Sequence, residues 1–142
     1  MISVTGVTGK YILQPGLVTM HQESLNWLST TEHWKRELSF FQKLLDTYTS
    51  NFTTVETKKQ IDHYQHLITY YKGELVDQLK KKIREHEHKL ARMLSEVNEA
   101  DVEYIHEHTE VIDELISFNK VYTEFKNSFF EFVELALHLS KH

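Results

Sequence analysis

The stretch YIHEHTEVIDELISFNKVYTEFKNSFFEFVELALHL, residues 104–139, decides the fold. Its apolar and aromatic residues return every three or four positions, at Tyr104, Val111, Leu115, Phe118, Tyr122, Phe125, Phe129, Phe132, Ala136 and Leu139, with His108 on the same line. That is the period of an α-helix; a half-buried strand would alternate in twos. A second apolar line, Ile105, Ile112, Ile116, Val133 and Leu137, runs beside the first. The combined face is wider than a coiled-coil seam and suits a helix that touches more than one neighbour.

The same period continues upstream. Residues Ile61, Tyr64, Ile68, Tyr71, Leu75, Leu79, Ile83, His86, Leu90, Met93 and Val97 form one line, with steps of four from Tyr71 to Ile83 that resemble a stutter. Gly73 costs about 1 kcal/mol relative to Ala but falls off the line, so this helix reads as unbroken. Thr53-Thr54-Val55-Glu56 is a capping box at its start, and Asn98 with Asp101 offers the cap of the helix that follows. A first helix carries Trp27, Thr31, Trp34, Leu38, Phe41, Leu45, Tyr48 and Phe52, and the pattern Thr19-Met20-His21-Gln22 places its start near Met20. Apart from Gly73, the glycines and the proline are Gly6, Gly9, Pro15 and Gly16, so residues 1–19 read as an irregular arm, too apolar for a disordered tail.

These segments predict an all-α fold, an antiparallel up-down-up three-helix bundle over residues 20–142 with an N-terminal arm over 1–19. Its helices span about 20–50, 54–97 and 99–139, the second and third being long. Folding the chain about its two turns brings His21 level with residues near 84 and 112. Beyond that level the second and third helices run on as a pair, with the arm as their expected cover.

Composition narrows the function classes. The chain has 142 residues, which is one domain, and sixteen basic against twenty-one acidic side chains give a net charge of −5. The balance argues against nucleic acid, which needs a basic face or a stacking platform. No cysteine is present, which excludes disulfides, thiol catalysis and Cys-ligated metal. No apolar run approaches the ~20 residues of a membrane span, and no secretory leader is visible, so the expected compartment is cytoplasmic. Gly6-Val7-Thr8-Gly9-Lys10 lacks the spacing and the Ser or Thr of a phosphate loop. Lys80, Lys81, Lys82, Arg84, Lys89 and Arg92 oppose Glu99, Asp101, Glu103, Glu107, Glu110, Asp113 and Glu114, a split that fixes register between facing helices.

Ten histidines are the chemical foothold. His33, His63, His66, His88 and His106 fall off the apolar lines, and His138 and His142 lie at the C-terminal end. His86 and His108 stand on the lines where aliphatic or aromatic residues otherwise stand, and His21 comes to nearly the same level. Burying an imidazole there forgoes about 1.5–3 kcal/mol of apolar burial, so each needs a polar partner. Three readings fit: a hydrogen-bonded polar layer, a pH-responsive contact, or a metal site. In the last, His21, His86 and His108 are the candidate ligands, Glu85 and Glu110 are the supporting carboxylates, and the cofactor is a transition metal such as zinc or iron. Glu85-x-x-His88 and Glu103-x-x-His106 echo di-metal bundles but sit off the lines, and a fourth helix is missing.

The stretches from Asn26-Trp27-Leu28 through His33-Trp34-Lys35-Arg36-Glu37-Leu38, Ile83 to Leu90, and Phe118 to Phe130 are similar to uncharacterised small bacterial helical-bundle proteins. The resemblance covers most of the chain after residue 20 and implies a bacterial cytosolic origin, with no activity to carry over. With no complete catalytic set, the sequence reads as a non-enzymatic interaction or scaffold bundle. Its expected partner is another copy of itself or a second protein, docked through the third helix, and the alternative is the metal-binding bundle with a histidine site near one end.

Overall fold

Almost every described residue lies in a helix. The computed structural model describes residues 7–8, 11–12, 15–95 and 102–140. Helix α1 runs Pro15–Tyr48, α2 Val55–Tyr70, α3 Val76–Ser95 and α4 Val102–Ser140. A one-turn 3₁₀ segment, Thr49–Asn51, follows α1, and a π-turn, Tyr71–Leu75, joins α2 to α3. The chain is all-α, a helical bundle. Among the described residues the one ladder is a two-residue antiparallel pairing of β1, Val7–Thr8, with β2, Tyr11–Ile12, which pairs Val7 with Ile12 and Thr8 with Tyr11. The expected Asn98 and Asp101 cap, Val97 and His142 lie outside the described residues.

Helix starts differ from expectation by a few residues. Helix α1 begins at Pro15 rather than near Met20, because a proline fixes the helical φ and lacks only an N–H that the first turn leaves unpaired anyway. The line Leu17, His21, Ser24, Thr31 thus extends the apolar face backwards, and all four residues are buried. At α2 the cap is Thr54, not Thr53: its side chain accepts from the Thr57 N–H at 3.1 Å.

The steps of four around Tyr71 have a structural cause. Val76 N–H bonds the carbonyl of Tyr71, five residues back, so the turn holds one extra residue. That spacing buries Tyr71 and Val76 on one face and leaves Leu75 only half-buried, which corrects the line read from the sequence. Gly73 sits in this turn at a φ that other residues adopt, with no atom within 4 Å of where a Cβ would be. Gly73→Ala is therefore expected to raise the unfolding free energy by about 0.5–1 kcal/mol in urea titration. A loss of stability would show that the π-turn needs glycine.

The chain divides into two compact units, Met1–Glu32 with Gln78–Leu115, and His33–Asp77 with Ile116–His142. The second unit is built on rings. Trp34 and Phe41 of α1, Tyr64 and Tyr71, and Phe118, Tyr122, Phe125, Phe129 and Phe132 of α4 are all buried. Phe129 lies 5.1 Å from Phe41 and 5.5 Å from Tyr64, ring centre to ring centre. Tyr71 meets Phe118 edge-on at 5.7 Å, and Trp34 meets it at 4.9 Å. Polar tips find partners: Tyr122 Oη donates to Glu37 Oε1 at 3.0 Å, and Tyr64 Oη pairs with Ser128 Oγ at 2.6 Å. Asn51 Nδ2 donates to the Ala136 carbonyl at 3.0 Å and satisfies one polar group near the chain reversal.

In the first unit, Leu17 packs on Leu90, Met93 and Tyr104, with Val18 and Met20 against the cluster. The first turn of α1 thus packs on the α3 and α4 residues that the arm was expected to cover. Ion pairs realise the charge split along this unit, Lys82 with Glu114 at 2.6 Å and Lys89 with Glu107 at 3.4 Å and with Glu103 at 3.7 Å, while Lys80 pairs instead with Glu32 of α1. Exposed pairs of this kind contribute only about 0.2–1 kcal/mol each, so their role is register more than stability.

Candidate functional site

The first unit buries three imidazoles. Two are joined: His86 of α3 and His108 of α4 meet through Nε2 and Nδ1 at 2.8 Å. On its other side, His86 Nδ1 donates to Glu107 Oε1 at 2.8 Å. His108 Nε2 points at Glu23 Oε1 of α1 from 3.6 Å, beyond hydrogen-bond length, and this buried nitrogen has no hydrogen-bond partner. Flat rings enclose the pair. Tyr104 stacks on His86 with centroids 4.1 Å apart and planes 3° apart, and Trp27 stacks on His108 at 4.8 Å.

His21 takes a different partner. Its Nδ1 donates to Glu87 Oε2 at 2.5 Å, while Glu87 Oε1 is buried without a hydrogen bond. The expected three-histidine cluster thus divides into a pair and a single ring. Among the described residues no group of three or more His, Asp or Glu side chains is arranged to hold a metal ion. The carboxylates expected to support that site are elsewhere. Glu85 pairs with Lys81 at 4.0 Å and Glu110 with His106 at 3.0 Å, both exposed, and the two line a surface groove of about 190 Å³ with Lys82, Glu107, Val111 and Glu114. The physical reason is helical geometry. Glu85 is one residue from His86, and neighbours in sequence point about 100° apart on a helix.

The carboxylates that do reach the rings sit three or four positions from a residue of the apolar lines. Glu107 follows Tyr104 by three, Glu23 precedes Trp27 by four, and Glu87 follows Ile83 by four. Residues at those offsets share a helix face, a signal present in the sequence. His33, His63, His66, His88, His106 and His138 are exposed.

Charge states follow from these contacts. Burial alone would raise the Glu107 carboxyl, but the His86 hydrogen bond and the charges of Lys89 and His86 outweigh it and hold Glu107 below the usual range. Burial pushes His108 down, and the charge of His86 pushes it further, against the opposing pull of Glu23. Tyr104 is driven far above the ordinary phenol value by burial, then by Glu87, Glu107 and Glu23, so it stays neutral among three carboxylates.

The arrangement can bind and pass a proton and can fix the pairing of three helical segments. Comparison of the chain with family models, curated proteins and solved structures finds no match.

Proposed function

We propose that this protein is a non-enzymatic scaffold bundle that associates with a second copy of itself through α4. The supporting observation is an apolar heptad on the solvent side of that helix in the second unit: Ile116, Phe130 and Leu137 are exposed, with Thr123 completing the seven-residue spacing. Phe40 of α1 is exposed in the same unit.

A second copy fits this face better than an unrelated partner because the face complements itself. In an antiparallel pair with its two-fold axis between Lys126 and Asn127, Ile116 stands opposite Leu137 of the second copy and Thr123 opposite Phe130. Lys120 then comes to the level of Glu134 of the second copy, so opposite charges meet twice. Both side chains are exposed and available.

Within each protomer we read an up-down-up three-helix bundle, in the cytoplasm, with neither nucleic acid nor membrane as partner. Contact order supports the topology. In the second unit Trp34 meets Phe118 and Phe41 meets Phe129, whereas Tyr71 meets Phe118 and Tyr64 meets Phe132. In the first, His21 meets Glu87 and Glu32 meets Lys80, while His86 meets His108 and Lys82 meets Glu114. The net charge of −5 supports the exclusion of nucleic acid. Among the described residues no helix is long and apolar enough to cross a membrane.

Sedimentation velocity at micromolar concentration tests the assembly. A dimer is expected, with Phe130→Asp returning it to monomer at unchanged helix content. Lys120→Glu is expected to weaken the dimer, and adding Glu134→Lys to restore it. A wild-type chain that stays monomeric across the concentration range overturns the proposal.

A further inference from the structure

We propose that Glu107, His86, His108 and Glu23 form a one-proton site, in which uptake of a single proton flips the tautomer of His108 and fastens Glu23 of α1 to the buried pair.

The argument is hydrogen-bond accounting along a fixed chain. Glu107 carries no proton at neutral pH, since Lys89 Nζ lies 3.4 Å from its Oε2 and His86 Nδ1 2.8 Å from its Oε1. His86 Nδ1 therefore carries the hydrogen of that bond. In the neutral pair His86 Nε2 has only a lone pair, so the 2.8 Å contact requires His108 Nδ1 to be the donor. A neutral imidazole has one N–H, which leaves His108 Nε2 bare. This is the nitrogen that is buried without a hydrogen bond, facing the oxygen of Glu23 at 3.6 Å, acceptor against acceptor.

One added proton resolves every contact. With a hydrogen on both nitrogens, His86 donates to Glu107 and to His108 Nδ1, and His108 must then carry its own hydrogen on Nε2. That hydrogen points at Glu23, closing the 3.6 Å gap to a charge-assisted bond. The added positive charge lies between two carboxylates on different helices. A second proton finds no such place: it would put like charges on two buried rings 4.9 Å apart.

The proton has a route, because Glu23 and Glu107 are 41% and 38% exposed while both rings are closed to water. Charged and titratable groups around the pair come from α1, α3 and α4: Glu23 faces His108, Glu107 and Tyr104 face His86, Lys89 pairs with Glu107 and Glu103, and Glu87, paired with His21, acts on Tyr104. Tyr104 remains a neutral phenol, and its ring covers His86.

Imidazole nitrogen NMR of the full chain, labelled with ¹⁵N at histidine and titrated from about pH 9 to about pH 5, reads this directly. The expected result is a His108 hydrogen on Nδ1 at high pH that moves to Nε2 in the same step in which His86 becomes doubly protonated. Glu23→Gln supplies a second arm at a part-exposed position. Its amide donates to His108 Nε2 without any proton uptake, so His108 is expected to keep its Nδ1 hydrogen and the first step to move down by about one pH unit, a tenfold loss of proton affinity. A wild-type His108 that keeps one tautomer throughout, or a Glu23→Gln chain that titrates like wild type, overturns the proposal.

Discussion

Phe129→Ala is expected to lower the unfolding free energy by about 3–5 kcal/mol, while Phe130→Ala, one residue along, changes it by about 0.5 kcal/mol or less in the monomer. The two phenylalanines separate the two faces of α4. Phe129 is wholly buried and its ring lies within contact of Phe41, Tyr64 and Phe125, one from each helical segment of the second unit. Removing it takes away apolar area and leaves a cavity bounded by stiff rings that cannot collapse inward. Phe130 is 43% exposed and meets the core at its rim, edge-on to Phe41 at 5.4 Å and tilted against its neighbour Phe129 at 6.5 Å. Its loss is expected in assembly, which is why the urea titrations belong at concentrations where the chain is monomeric. Equal losses at the two positions would show that the heptad face is part of the core and would remove the case for a docking seam.

The period of the helices was readable because burial and spacing agree at nearly every position of α4, from Tyr104 to Ala136. Where the structure departs from the period, a local device is at work that period alone does not reveal. Steps of four between Tyr71 and Ile83 fit a stutter as well as a π-turn, and only the Val76-to-Tyr71 hydrogen bond separates them. Pro15 reads as a breaker or as a helix start, and the difference lies in Leu17 having Leu90 and Met93 to pack against, a tertiary fact.

The candidate site shows the same division. His86 and His108 were marked by standing on apolar lines, a property of each helix by itself. Their carboxylates are not so marked, because closeness in sequence or level, which points to Glu85 and Glu110, does not put a side chain on the face of the ring, whereas Glu107, Glu23 and Glu87 reach the rings from neighbouring faces. The rule that finds them is the three-or-four offset from a residue of the apolar lines, applied to acids as well as to apolar side chains. The division of the three histidines depends on which way His21 turns across from α1, and no spacing within one helix determines that.

Acid is expected to destabilise the fold in a window that belongs to the histidine pair. Burial and then the charge of His86 place His108 below its ordinary value of 6.5, so in the folded chain it refuses a proton that the unfolded chain accepts. Above 6.5 neither state binds that proton and stability does not depend on it. As pH falls below 6.5 the unfolded state gains the proton alone, and the unfolding free energy drops by up to about 1.4 kcal/mol per pH unit until the folded pair also takes it. Glu107 acts lower down. Held below its ordinary value of 4.5, it contributes stability that is complete above 4.5 and is lost as pH falls from there through its folded value, so the His108 loss begins first. Urea unfolding at pH steps between 8 and 4.5 measures the slope, and His108→Gln is the decisive variant. Its amide can still donate to His86 Nε2, so the fold is retained at high pH, but the refused proton is gone. The slope just below 6.5 is expected to shrink, by at most one proton's worth, whatever the variant's stability at pH 8. An unchanged slope would mean that the acid sensitivity lies in other groups.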